Sequence, residues 1–151
     1  MRPSLEKGTA SLFQAPLHTG DKDTTKVRIK KAFLILAFAM ASVIALLYGI
    51  SPSWFASTFL GLSDLSAEIA HIFRAIMCLY LALACFWLYA AFSDAHRNSA
   101  VLTTIVFSAG LVTGRLLSFL IDGQPAPLLI FYAVIELLLV PIAAWVYTRP
   151  E

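Results

Sequence analysis

Five ionisable side chains stand inside stretches that are otherwise apolar. Glu68, His71 and Arg74 fall in one such stretch, Arg115 in the next and Glu136 in the last. Charge is expensive in hydrocarbon, so groups kept there usually pair with one another or serve a site. Guanidinium and carboxylate groups make bidentate ion pairs, and a guanidinium can equally receive an anionic ligand. His71 can hold a proton near neutral pH or donate a hydrogen bond. The candidate polar cluster is therefore Glu68, His71, Arg74, Arg115 and Glu136, with Ser118, Asp122 and Tyr132 on the same helical faces. The expected pairing is Arg74 and Arg115 with Glu68 and Glu136, in an order the sequence leaves open.

The solvent around these groups follows from composition. Apolar residues make up 60% of the 151 residues, and the mean hydropathy is +0.81. A water-soluble domain is usually about 45–50% apolar, so most of this chain reads as lipid-embedded. Four apolar runs are long enough to cross a bilayer core of about 30 Å: residues 32–50, 67–92, 100–121 and 127–147. The connections are short. Ser51-Pro52 is a helix start and Gly61 a stop, which with Trp54, Phe55 and Phe59 predicts a short interfacial helix after the first span. Ser93 to Asn98 is a tight polar loop, and Asp122-Gly123-Gln124-Pro125 is a turn. Connections this short predict an all-α, up-down four-helix transmembrane bundle, spanning residues 31–148.

Basic residues set the expected orientation. Arg2, Lys7, Lys22, Lys26, Arg28, Lys30 and Lys31 crowd the start of the chain, Arg97 lies in the second loop and Arg149 near the end; the other two connections carry Asp64 and Asp122 instead. The positive-inside rule then puts both termini in the cytoplasm. Residues 1–30 read as a disordered basic cytoplasmic tail, without the aromatic interleaving of a nucleic-acid-binding surface, and the late, long first hydrophobic run does not fit a secretory signal. With this topology all five charged groups lie in the outer half of the bilayer, about 2 to 14 Å deep at 1.5 Å per residue.

Helical phase predicts how they face. At about 100° per residue, Glu68, His71 and Arg74 share an arc of about 120°. Thr104, Ser108, Leu111, Arg115, Ser118 and Asp122 form one mostly polar stripe, and Tyr132 and Glu136 lie one turn apart. Gly110 and Gly114 make a small-xxx-small face expected to admit a packed helix. Tyr48, Trp54, Trp87, Tyr89, Trp145 and Tyr147 read as aromatic belts, Pro141 as a kink, and Cys78 and Cys85 as small core residues too far apart for a disulfide.

Known chemistries fit poorly. His71 is the one histidine in a span, which argues against b-haem. Glu68-x-x-His71 is a single copy of an element that di-iron bundles use twice. No phosphate loop or nucleophile elbow occurs, so neither metal nor cofactor is expected and no reaction is defined. Two readings remain: a structural or accessory protein held by a buried polar network, or a membrane protein or enzyme that binds a small anionic or lipidic ligand through Arg74, Arg115 and His71. The lipid bilayer is the expected partner, nucleic acid is not, and a homo-oligomer stays open.

The residues His71-Ile72-Phe73-Arg74-Ala75, Gly114-Arg115-Leu116-Leu117-Ser118 through Asp122-Gly123-Gln124-Pro125, and Glu136 together resemble an uncharacterised bacterial family. That family is known only as a domain of unknown function with four membrane spans. The likeness covers about Phe33 to Tyr147 and implies an inner-membrane location with no known activity.

Overall fold

The structure, a computed structural model, describes residues 20–149. The first helix, α1, runs Gly20–Gly49. Next comes α2, a single turn at Pro52–Phe55 that continues as a π-helical turn over Ala56–Leu60. The three remaining helices are α3 (Ala67–Ala91), α4 (Arg97–Ile121) and α5 (Pro127–Tyr147). The four long helices are each apolar and long enough to span a membrane. The all-α architecture and the short helix after the first span are as expected.

Local signals account for the boundaries. Pro52 occupies the first turn of α2, where its missing N–H costs nothing. Gly61 ends the π-helical turn at φ 71°, and Gly123 takes φ 89° in the turn before α5; both conformations favour glycine over any residue with a Cβ. The Ser66 hydroxyl accepts from the Ile69 amide and caps α3. Pro127 opens α5 from its first turn, and the helix continues across Pro141.

One boundary lies earlier than expected. Residues 1–19 of the proposed tail lie outside the described residues, but residues 20–30 are helical. No Pro or Gly interrupts the sequence from Asp21 to Phe33, so nothing stops the first span from extending backwards. Thirty residues give about 45 Å of helix, more than the bilayer core needs. The first turns, with Lys26 and Arg28, therefore project beyond it.

The bundle is two pairs of helices. Contact is most extensive between α1 and α3 and between α4 and α5, and much thinner between the pairs. Ala37, Ala41 and Ala45 of α1 are buried in the core with Tyr80, Ala84 and Trp87 of α3, and small residues let the backbones come close. At Gly49 the approach is so tight that an added Cβ would overlap the Met77 side chain.

The two ends differ in chemistry. The basic end holds the start of α1, the α3–α4 loop and the end of α5. Here Lys30, only 1% exposed, donates to Asn98 Oδ1 at 2.5 Å, and buried Arg97 pairs with Asp94 at 2.7 Å. The Trp87 indole N–H donates to Thr103 Oγ1 at 3.1 Å, tying α3 to α4. At the opposite end, Tyr48 packs with Phe55, Phe73 and Tyr132 in an aromatic cluster. This overturns the belt reading for Tyr48 and Trp87, both of which are buried, and the interfacial reading for Phe55, whose ring plugs the cluster. Trp54, Tyr89, Trp145 and Tyr147 are exposed, as a belt requires.

Candidate functional site

Arg115 reaches Glu136 with two parallel hydrogen bonds: Nε donates to Oε2 at 2.5 Å and Nη2 to Oε1 at 2.9 Å. The helices make this pairing natural. Leu111 and Ser108, one and two turns before Arg115, lie on the face of α4 turned inwards, and Glu136 lies one turn after buried Tyr132 on α5. The pair joins the helices that already pack most closely on that side of the bundle. Glu136 is buried and Arg115 half-buried, so removing Arg115 strands a buried carboxylate, at a cost of about 3–5 kcal/mol.

Phenols surround the pair. The Tyr132 ring centre is 5.9 Å from the guanidinium carbon of Arg115, a distance at which the ring face attracts a cation. Tyr48, from α1, lies beside the guanidinium, and Tyr80, from α3, lies near the carboxylate. Every long helix thus contributes to the shell around one ion pair. Sequence reasoning missed Tyr48 and Tyr80, since an aromatic residue in a span carries no mark of which way it faces.

Two hollows meet at the pair. One is a groove of about 480 Å³ between α3 and α4, lined by Phe73, Ile76 and Tyr80 on one wall and Gly110, Gly114, Arg115 and Ser118 on the other. Tyr48, Leu60 and Leu129 close its α2 end. The other is a chamber of about 60 Å³ among α1, α3, α4 and α5, which includes Ser108 and Glu136 in its lining. Arg115 uses two of its five N–H donors on Glu136. Tyr48 engages the guanidinium as well, and Arg115 lines the groove.

The expected cluster is corrected in three places. Glu68, His71 and Arg74 do share a face, but it is the exposed face of α3. The face that packs on the bundle carries Phe73, Ile76, Met77 and Tyr80. Spacing fixes that polar residues lie together; it does not fix whether the arc points in or out. All three sit within about 11 Å of the start of α3 at 1.5 Å per residue. A long side chain such as Arg74 leans back towards the helix start and reaches the polar interface from there. Neither Glu68 nor Arg74 meets Arg115 or Glu136. Among the described residues Arg74 makes no ion pair.

The polar stripe of α4 is inward only as far as Arg115. Thr104 and Ser108 are buried, while Ser118 and Asp122 are exposed and bond to each other at 2.7 Å. Gly110 and Gly114 are also exposed, with open space where a Cβ would stand. They do not admit a neighbouring helix of this chain; they hollow one wall of the groove, because α4 turns its other side to α5. Cys78 and Cys85 are exposed free thiols on α3, not core residues. Among the described residues, no three His, Cys, Asp or Glu side chains converge as metal ligands would.

Four apolar helices joined by short connections, with a buried ion pair open to a lateral groove, define a polytopic membrane protein. The chain belongs to the family described as a domain of unknown function, DUF4345, whose model matches residues 29–147. The matched segment takes in all four spans, the ion pair and both hollows. No curated protein and no solved structure matches the chain.

Proposed function

We propose that this is a non-enzymatic integral membrane protein that holds an anionic, lipid-like molecule in the groove between α3 and α4, with Arg115 as the head-group donor. One observation carries the reading: Arg115, while paired with Glu136, lines an open groove instead of being sealed in the core. A network serving helix register alone has no need of a cavity beside it. The groove walls are apolar apart from Arg115, Ser118 and the phenols, which suits an amphiphile whose chain lies along the helices. Arg115 replaces the trio of Arg74, Arg115 and His71 as the recognising group, since the other two face away.

The proposed setting is a bacterial inner membrane with both termini in the cytoplasm. The basic residues gathered at one end of the bundle favour it, and the groove then opens in the outer leaflet.

The test is native mass spectrometry of the full chain extracted in mild detergent. A stoichiometric anionic lipid-like species should accompany the wild type and the Arg74→Gln variant. It should be lost from the double variant Arg115→Gln/Glu136→Gln, which keeps a neutral hydrogen-bonding pair and strands no charge. Equal retention by the folded double variant would return the pair to a purely structural role.

A further inference from the structure

The chamber on the far side of the ion pair carries its own chemistry, and the argument from it does not rest on the groove. The chamber opens between α1 and α5, where Leu36 is exposed and Met40 half-buried, and its lining is almost wholly apolar. Three of its lining residues carry polar groups: Glu136, Ser108 and Tyr80. Ser108 is 2% exposed and Tyr80 6%. Neither hydroxyl has a hydrogen-bond partner among the described residues, and neither is sealed against surrounding atoms. Buried polar groups are nearly always satisfied, and a membrane interior supplies little water to satisfy these.

Their chemistry selects what could. Each Glu136 oxygen accepts one N–H from Arg115 and keeps lone-pair capacity for a further donor. Ser108 and Tyr80 can each donate or accept. An anionic head would meet the carboxylate and be repelled, and a bare alkane would leave all three groups unsatisfied. A neutral hydroxyl donates to Glu136 and accepts from Ser108 or Tyr80. The cavity of about 60 Å³ takes such a head alone, and the mouth at Leu36 and Met40 lets the chain run out into lipid. We propose that this chamber binds the polar end of a neutral long-chain alcohol, at a site that adjoins the groove across Tyr80.

The experiment uses the full-length protein in nanodiscs of uncharged lipid and three photoreactive probes of equal chain length: a diazirine-bearing primary alcohol, the matching methyl ketone and the matching alkane. The alcohol should label α1 or α5 peptides around Met40 and Leu139, and unlabelled hexadecanol should compete. Ser108→Ala and Tyr80→Phe should each lower labelling about threefold to tenfold, the worth of one ordinary hydrogen bond. Met40→Trp, which fills the mouth, should abolish it; Leu36→Trp serves if that variant does not fold. Equal labelling by the alkane would overturn the site, and equal labelling by the ketone would overturn the role of Glu136 as acceptor. Undiminished labelling of the folded Ser108→Ala and Tyr80→Phe variants would also overturn it. An anionic groove ligand that survives Met40→Trp would show the two sites failing or standing independently.

Discussion

The basic end of the bundle and the end that carries α2 solve the same problem in opposite ways. Each must bury polar side chains among apolar helices. At the basic end the polar groups act as ties between the two helix pairs: Lys30 with Asn98 joins α1 to α4, and Trp87 with Thr103 joins α3 to α4. At the α2 end the principal ion pair, Arg115 with Glu136, lies within one pair of helices and does not reach α3. The helices α3 and α4 are therefore fastened at one end and part at the other, and the groove is the result. Polar bonds placed across an interface close it; the same bonds placed within a pair leave the interface free for a ligand.

Substitutions that sharpen this contrast can be ranked. Arg115→Leu alone leaves the buried Glu136 carboxylate without its partner and should cost about 3–5 kcal/mol, read as a loss of thermal stability in detergent. The double Leu variant should recover most of that loss, since two apolar groups strand nothing. Asn98→Ala removes one acceptor of the Lys30 ammonium and should cost about 1.5–3 kcal/mol, the range for a hydrogen bond to a charged group. Gly49→Ala forces α1 away from Met77 and should cost about 1–3 kcal/mol by overpacking, measured by the same melts. Smallest of all, Arg74→Gln should stay within about 0.5 kcal/mol, as exposed substitutions usually do. An Arg74 variant as damaging as an Arg115 variant would break the distinction between the two arginines.

That distinction marks the limit of what the sequence discloses. Four long apolar runs, the Pro52 start, the Gly61 stop and the turn at Gly123 each rest on one local physical cause, and each appears where expected. The pairing of Arg115 with Glu136 was among the alternatives that charge and depth allowed. What periodicity could not decide was the sense of a polar arc. Glu68, His71 and Arg74 obey the same spacing rule as Thr104, Ser108 and Arg115, yet one set faces out and the other in. The choice is made by the neighbours, namely whether the opposite face, such as Phe73, Ile76 and Tyr80, packs better on the rest of the bundle. Tyr48 was hidden for a similar reason: its place near a helix end suits an interfacial belt, and only the approach of Phe55 from α2 and Tyr132 from α5 buries it.

Cross-linking of α3 to α4 at two levels addresses the parted bundle most directly. In a background with Cys78 and Cys85 changed to Ala, cysteines at positions 90 and 100, buried in the core near the α3–α4 loop, should join readily with a short bifunctional reagent. Cysteines at positions 73 and 114, on opposite walls of the groove, should join only through a longer spacer. Equal and efficient short-reagent linkage at both levels would mean that α3 and α4 are packed along their whole length, leaving no groove for Arg115 to face.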